Sequence, residues 1–390
     1  MAARRRLAIL VLTFDTFLLP GQPILATVGA GQDREQTATG RARQAYERAI
    51  ELEQQGNSVG ALSLLWEASG LAPRDADVQN RLGEALERIG ALEAAVDSYR
   101  RALDVRPASR KASSNLILAL VKTGKGPEAV ERARALIAES PGDTDRYFTL
   151  GLAQSEQDVD GAIQTFRKVL QMAPQHALAR YNLALVLRRA DRLPEALAEL
   201  ERMVKTDPRP EAHYTMGIIY WHQGDMDRAT NALRAAIAAD PKHADALFAL
   251  GSVLKARRDW TGSTAALQRA VEIRPDPATY YTLSQVRQLV GDDAAARAYL
   301  EESERLRTRA RLEHEALVWT SVGIQKAESG DLLAAVDNFR RAIAIFEGYA
   351  PAHYQLGLVF ERLGEHQASR SAFERARQLN PSLVSPRNTR

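Results

Sequence analysis

A chain of 390 residues exceeds one ordinary compact domain and fits either several domains or one elongated array. Its 45% hydrophobic and 26% charged residues are those of a folded protein and exclude a disordered chain, and the lack of cysteine excludes disulfides, thiolate metal sites and a cysteine nucleophile. The formal charge is +3 overall but only +1 over residues 31–390, too little for a main partner bound through many Lys and Arg contacts to phosphate, so no nucleic acid is expected.

Taken in chain order, the first thirty residues stand apart. MAARRR is a basic start, LAILVLTF at 7–14 is a short apolar core, and ILATVGA at 24–30 ends in small residues, the layout of a secretory leader with cleavage expected after Ala30. Asp15 and Pro20 leave the apolar stretch well short of the roughly 20 residues of a membrane span. Export to the periplasm or beyond is therefore the expectation, and an uncleaved N-terminal anchor is the alternative. Residues 31–41 read as a polar linker.

From residue 42 onward the chain repeats. Prolines fall at 73, 107, 141, 174, 208, 241 and 275, with one more at 381, a spacing of 33 or 34 residues. Counting each proline as position 32 of a unit aligns the rest. Position 8 is small (Ala49, Gly83, Gly151, Ala184, Gly217, Gly251, Gly323, Gly357), as is position 20 (Ala61, Ala95, Ala129, Ala162, Ala196, Ala229, Ala335). Position 24 is often bulky, as in Tyr99, Phe166, Phe339 and Phe373. Two antiparallel helices approach closely only where facing side chains are small, so positions 8 and 20 are expected to face each other. Gly90, Gly124, Gly224, Gly291, Gly330 and Gly364 stand where a first helix must end in a left-handed residue, and Pro127 and Pro194 where a second helix begins.

This pattern resembles the tetratricopeptide repeat throughout. The resemblance implies an all-α fold, a right-handed superhelical α-solenoid of antiparallel helix pairs with a long concave groove. Ten units are read: eight over 42–310 (42–75, 76–109, 110–142, 143–176, 177–209, 210–243, 244–276, 277–310) and two over 316–383 (316–349, 350–383), followed by a tail at 384–390. Unit three is the loosest, with Ile117 at position 8 and Ala133 at position 24. Unit eight has Thr308 in place of its closing proline, and the extra RLEHE at 311–315 predicts an overlong helix carrying Arg305, Arg307, Arg309 and Arg311. That helix either bends the superhelix or is a solvated face.

Catalytic chemistry finds no foothold. HExxH, GxGxxG and GxxxxGK[ST] are all missing, and carboxylate pairs such as Glu301 and Glu302 read as solvated helix surface. No enzyme activity, cofactor or metal is expected. The histidines His176 and His243 occupy matching turns between units, while His213 and His353 share position 4 and are expected between helices.

In the family that this chain resembles, positions 2, 5, 6, 9, 12 and 13 of the first helices line the groove. Position 5 supplies Phe148, Tyr181, Tyr214, Phe248 and Tyr281; position 9 adds Leu152 and Ile218, and position 12 adds Trp221. Asn115 and Asn182, at position 6, match asparagines that hydrogen-bond ligand backbone in peptide-binding relatives. Position 5 aromatics also pack against the next unit, so the row reads either as partner contacts or as packing. A carboxylate clamp for acidic tails is not expected, because Glu84, Asp145 and Thr149 occupy places that need cations or asparagine. The reading is a scaffold that holds an extended or helical segment of a partner protein in its groove. A self-assembling envelope scaffold and an accessory subunit of a carbohydrate or envelope enzyme are the alternatives.

Overall fold

In a computed structural model that describes residues 26–55, 57–381 and 383, nineteen helices and no strand are found among the described residues. The first repeat is α1 (Ala26–Gln54) with α2 (Ser58–Leu71), the second α3 (Ala76–Arg88) with α4 (Leu92–Val105), and the third α5 (Arg110–Lys122) with α6 (Gly126–Glu139). Then follow α7 (Thr144–Gln154) with α8 (Val159–Met172), α9 (Ala177–Arg189) with α10 (Leu193–Thr206), and α11 (Pro210–His222) with α12 (Met226–Ala239). The seventh repeat is α13 (Ala244–Ala256) with α14 (Trp260–Ile273), and the eighth begins with α15 (Pro277–Leu289). Finally come α16 (Asp293–Glu328), α17 (Leu332–Ile345), α18 (Ala350–Leu363) and α19 (His366–Leu379).

Local chemistry sets these boundaries. Side chains of Asp75, Ser109, Asp143 and Asp276 accept backbone N–H groups at the starts of first helices, as Asp158, Asp225, Asp259 and Asp331 do for second helices. The six glycines expected to end first helices all adopt positive φ, between 73° and 85°. In repeats five and seven, which lack the glycine, Asp191 (φ 58°) and Arg258 (φ 62°) are forced into the same left-handed conformation. The turn demands the geometry whichever residue supplies it.

Packing adds one detail to the expected helix contact. A Cβ added at Gly83, Gly151 or Gly323 would lie 2.5–2.6 Å from the ring of Tyr99, Phe166 or Phe339, and one added at Gly251 would lie 2.5 Å from Leu267. Position 8 is thus glycine to admit the side chain at position 24 as well as to face position 20, where Ser263 Oγ donates to the Gly251 carbonyl at 2.7 Å. The third repeat obeys the same rule with the volumes exchanged: Ile117 and Ala133 are each 1% exposed. It is not loose. Repeat five takes a middle course, pairing Ala184 with Leu200, both fully buried.

The chain departs from even stacking at two places. Segment 31–41, expected as a polar linker, is helical backbone within α1, because the first helix runs back beyond its repeat. Residues 26–30 of the expected leader begin that helix, and the remainder of the leader and the tail at 384–390 lie outside the described residues. The second departure is α16, a single 36-residue helix that fuses the second helix of repeat eight to the first helix of repeat nine. Without a proline at 308 nothing stops it. No repeat then folds back over repeat eight, and Leu289, Val290 and Leu300 stay 60%, 46% and 41% exposed. The arginine row on α16 is a solvated face paired within the helix, Arg305 with Glu302, Arg307 with Glu304 and Arg309 with Glu313.

The exchange of volume between positions 8 and 24 predicts a specific rescue. Gly151→Ala should destabilise the protein by about 1–3 kcal/mol through its clash with Phe166. Adding Phe166→Leu should recover most of that loss by recreating the Ala–Leu pair of repeat five. Urea midpoints of the two single variants and the double variant measure the coupling; strictly additive effects would refute the rule.

Candidate protein-binding groove

First helices form the inner layer, so the side chains at position 5 recur one per repeat along one wall. Phe148, Tyr181, Tyr214 and Phe248 are half-buried, and Tyr281 is 41% exposed. Leu152, Ile218 and Trp221 are half-buried beside them. Three of the rings lean on the next repeat. The Phe148 ring lies 4.9 Å from His176 and the Tyr214 ring 5.2 Å from His243, centroid to centroid. These two histidines cap the next first helix, their Nδ1 atoms accepting from the N–H groups of Ala179 and Ala246. The Tyr181 hydroxyl meets Thr215 Oγ1 at 3.2 Å, again one repeat on, and Arg307 sits over the Tyr281 ring at 5.5 Å. The row therefore serves packing and still offers ring surface to the groove.

The two asparagines differ. Asn115 donates its amide to Asn80 Oδ1 and Glu84 Oε1, both at 3.1 Å, joining a network that spans the second and third repeats. Lys111 Nζ lies 2.8 Å from the same Glu84 oxygen, Asn80 donates to it at 2.9 Å, and Arg81 holds the second oxygen at 3.2 Å. Burial alone would push the Glu84 carboxyl up, but the bonds from Lys111, Asn80 and Asn115 hold it below the usual carboxylate range. Asn182 instead donates to the Leu178 carbonyl of its own helix at 2.8 Å. Neither amide nitrogen is idle. Of the remaining histidines, His213 is half-buried with its pKa lowered by burial, and His353 Nε2 pairs with the Glu347 carbonyl oxygen at 2.9 Å.

The inner wall is not open along its whole length, which corrects the expectation of one continuous groove. Trp66 of α2 and Ile89 at the end of α3 pack onto the apolar cluster of repeats nine and ten around Ile324, Leu356 and Phe360. A Cβ on Gly90 would lie 3.9 Å from Leu317, and the buried Tyr354 hydroxyl sits beside Ser63. Glu328, accessible at the rim, has its pKa raised by crowding against the protein, an effect that the Trp66 indole and Arg101 only partly offset. The last two repeats thus close on the first two. The sequence held a trace of this: position 25, which is Trp66 in the first repeat, is Arg100, Arg134, Arg167, Glu201, Arg234, Gln268, Glu301, Arg340 and Glu374 in the others.

This fold and groove define a helix-pair solenoid of protein-interaction type. A family model described as tetratricopeptide repeat matches residues 39–110, 92–144, 114–174 and 214–278, more than half of the chain, and two others of the same description match 153–218 and 350–383. The chain belongs to the tetratricopeptide repeat family. It is similar to the BBSome complex member bbs-4 of Caenorhabditis elegans, 20% identical across 53% of this chain and 45% of that protein. It is also similar to Protein O-mannosyl-transferase Tmtc3 of Drosophila melanogaster, 29% identical across 39% of this chain and 17% of that protein. The chain thus spans less than half the length of these curated relatives. Among solved structures, a tetratricopeptide repeat protein from Parabacteroides merdae superposes with a TM-score of 0.51 at 18% identity, covering 63% of this chain and 99% of that one. This repeat fold is generally non-catalytic, and proteins of the family generally bind other proteins.

The polar network sets an acid limit. Because the folded Glu84 carboxyl titrates below its ordinary value of 4.5, its contribution is complete above that value and is lost as pH falls through the folded pKa. Replacing it by Glu84→Gln should make the loss of stability on acidification shallower, read from denaturant midpoints as the pH is lowered from neutral. An unchanged slope would show that Glu84 gains nothing from the network on folding.

Proposed function

We propose that this chain is a non-catalytic adaptor that holds an extended or helical segment of a partner protein along the inner wall of repeats three to eight. One observation carries the reading: Phe148, Leu152, Tyr181, Tyr214, Ile218, Trp221, Phe248 and Tyr281 line successive first helices, and none of them is fully buried. Large rings held in place by neighbours anchor interfaces well, because little side-chain freedom remains to be lost on binding. Asn115 and Asn182 border the same wall and present amide groups beside it. The partner segment that fits is apolar or aromatic at intervals, and its backbone would compete for amide groups that Asn115 and Asn182 already use within the chain.

The leader-like residues 1–30 support placing the adaptor outside the cytoplasm, in the periplasm or at a membrane surface, since they combine a basic start, a short apolar core and small residues before Ala30. N-terminal sequencing of protein recovered from fractionated cells tests this part: a chain starting near residue 31 in the exported fraction is expected, and an intact start in the cytosol overturns it.

The groove is tested by pull-down from an envelope fraction with wild type and a Tyr214→Ala, Trp221→Ala variant. Each truncation of a central aromatic anchor should cost about 2 kcal/mol or more of binding. Partners retained by wild type should therefore fall at least tenfold with the double variant. Identical profiles from the two baits would remove the reading.

A further inference from the structure

The contact between the two ends of the array differs in kind from the stacking elsewhere. At this seam the acceptor residues Ile324, Leu356 and Tyr354 are buried, whereas Trp66, Ile89 and Leu317 are only half-buried. Two of its polar atoms, the Trp66 indole nitrogen and the Tyr354 hydroxyl, are buried beside Glu328 and Ser63 but make no well-formed hydrogen bond to them. Buried polar atoms with poorly made hydrogen bonds are penalised relative to water, which weakens the seam. It is favoured because both halves belong to one chain, which fixes a high effective concentration.

The shapes nevertheless match as ligand and receptor. The acceptor is an inner wall of ordinary type, with Leu317 at position 2 and Ile324 at position 9 of repeat nine and Tyr354 at position 5 of repeat ten. The occupant is α2, entering with Trp66, together with the end of α3 at Ile89 and the Gly90 turn that Leu317 meets. We propose that this seam is an exchangeable clasp: the inner wall of repeats nine and ten is a helix-acceptor site, filled by α2 of the same chain in the closed form and by α2 of a second copy when the clasp opens. Pairing in trans is head-to-tail, because the donor and acceptor surfaces are different. The inference does not depend on what the wall of repeats three to eight binds, so either can fail alone.

Two variants of the full chain separate the surfaces. Trp66→Arg removes the occupant's anchor, installing the residue that five other repeats carry at this position. Leu317→Glu places a carboxylate in the acceptor. Each variant alone should be a monomer with a larger radius of gyration in small-angle scattering than closed wild type, because neither can close. Mixed in equal amounts, the intact acceptor of one and the intact α2 of the other should pair, and light scattering should show a species of twice the chain mass. Scattering profiles that match wild type in both variants, or a mixture that stays monomeric, would overturn the proposal. Far-UV circular dichroism checks that both variants keep their helices, and Trp66→Ala replaces Trp66→Arg if the arginine disturbs folding.

Discussion

The structure depends on one exchange of volume, between position 8 of each first helix and position 24 of its partner. Where position 8 is glycine, a ring or a leucine fills the space, and where it is isoleucine, an alanine does. Close packing tolerates either assignment because what must be conserved is the sum of the two side chains, which sets how near the helices come. Each packed pair of helices then adds its own rotation to the array. Curvature is the accumulated result.

Accumulation explains why the ends meet. Each repeat touches its neighbours, and ion pairs stitch consecutive repeats along the surface: Arg88 with Glu53, Arg100 with Glu128, Arg167 with Glu195, Arg257 with Asp227. Such exposed pairs contribute little individually. At repeat eight the pattern is interrupted, since α16 passes straight through the place where a proline would have turned the chain. The last two repeats are thereby released from stacking on repeat eight, and instead their inner wall receives α2. One missing proline leaves an uncovered apolar edge at Leu289 and Val290 on one side and allows a closed seam on the other.

Local rules were therefore legible in the sequence and cumulative ones were not. Proline spacing, small residues and turn glycines fixed the repeats and their helix ends, since each is decided within about 34 residues. Repeat three looked irregular only because its two volumes are read separately; taken as a sum, Ile117 and Ala133 are as regular as Gly151 and Phe166. The groove wall was legible to the same degree, as positions 5, 9 and 12 follow from the register. What it touches was less so. Pairing of Phe148 with His176 follows a fixed offset between neighbouring repeats, but the commitment of Asn115 to Asn80 and Glu84 depends on side-chain geometry across two helices. The seam joins residues more than two hundred positions apart, and its sole trace was a tryptophan where other repeats place charged or amide side chains.

Closure also determines what the remaining wall can do. A solenoid free at both ends can flex, and a ligand lying along it must bear the entropic cost of fixing its curvature. Here α2 held against repeats nine and ten fixes that curvature beforehand, from the first repeat round to the last. The aromatic row from Phe148 to Tyr281 then faces inward at set intervals, and segments whose anchors match those intervals are favoured over segments that require a wider or tighter arc. By thermodynamic reciprocity, a ligand that prefers a different arc loosens the seam by as much as the seam weakens that ligand. The groove and the clasp are thus two readings of one quantity, the rotation added by each packed pair of helices.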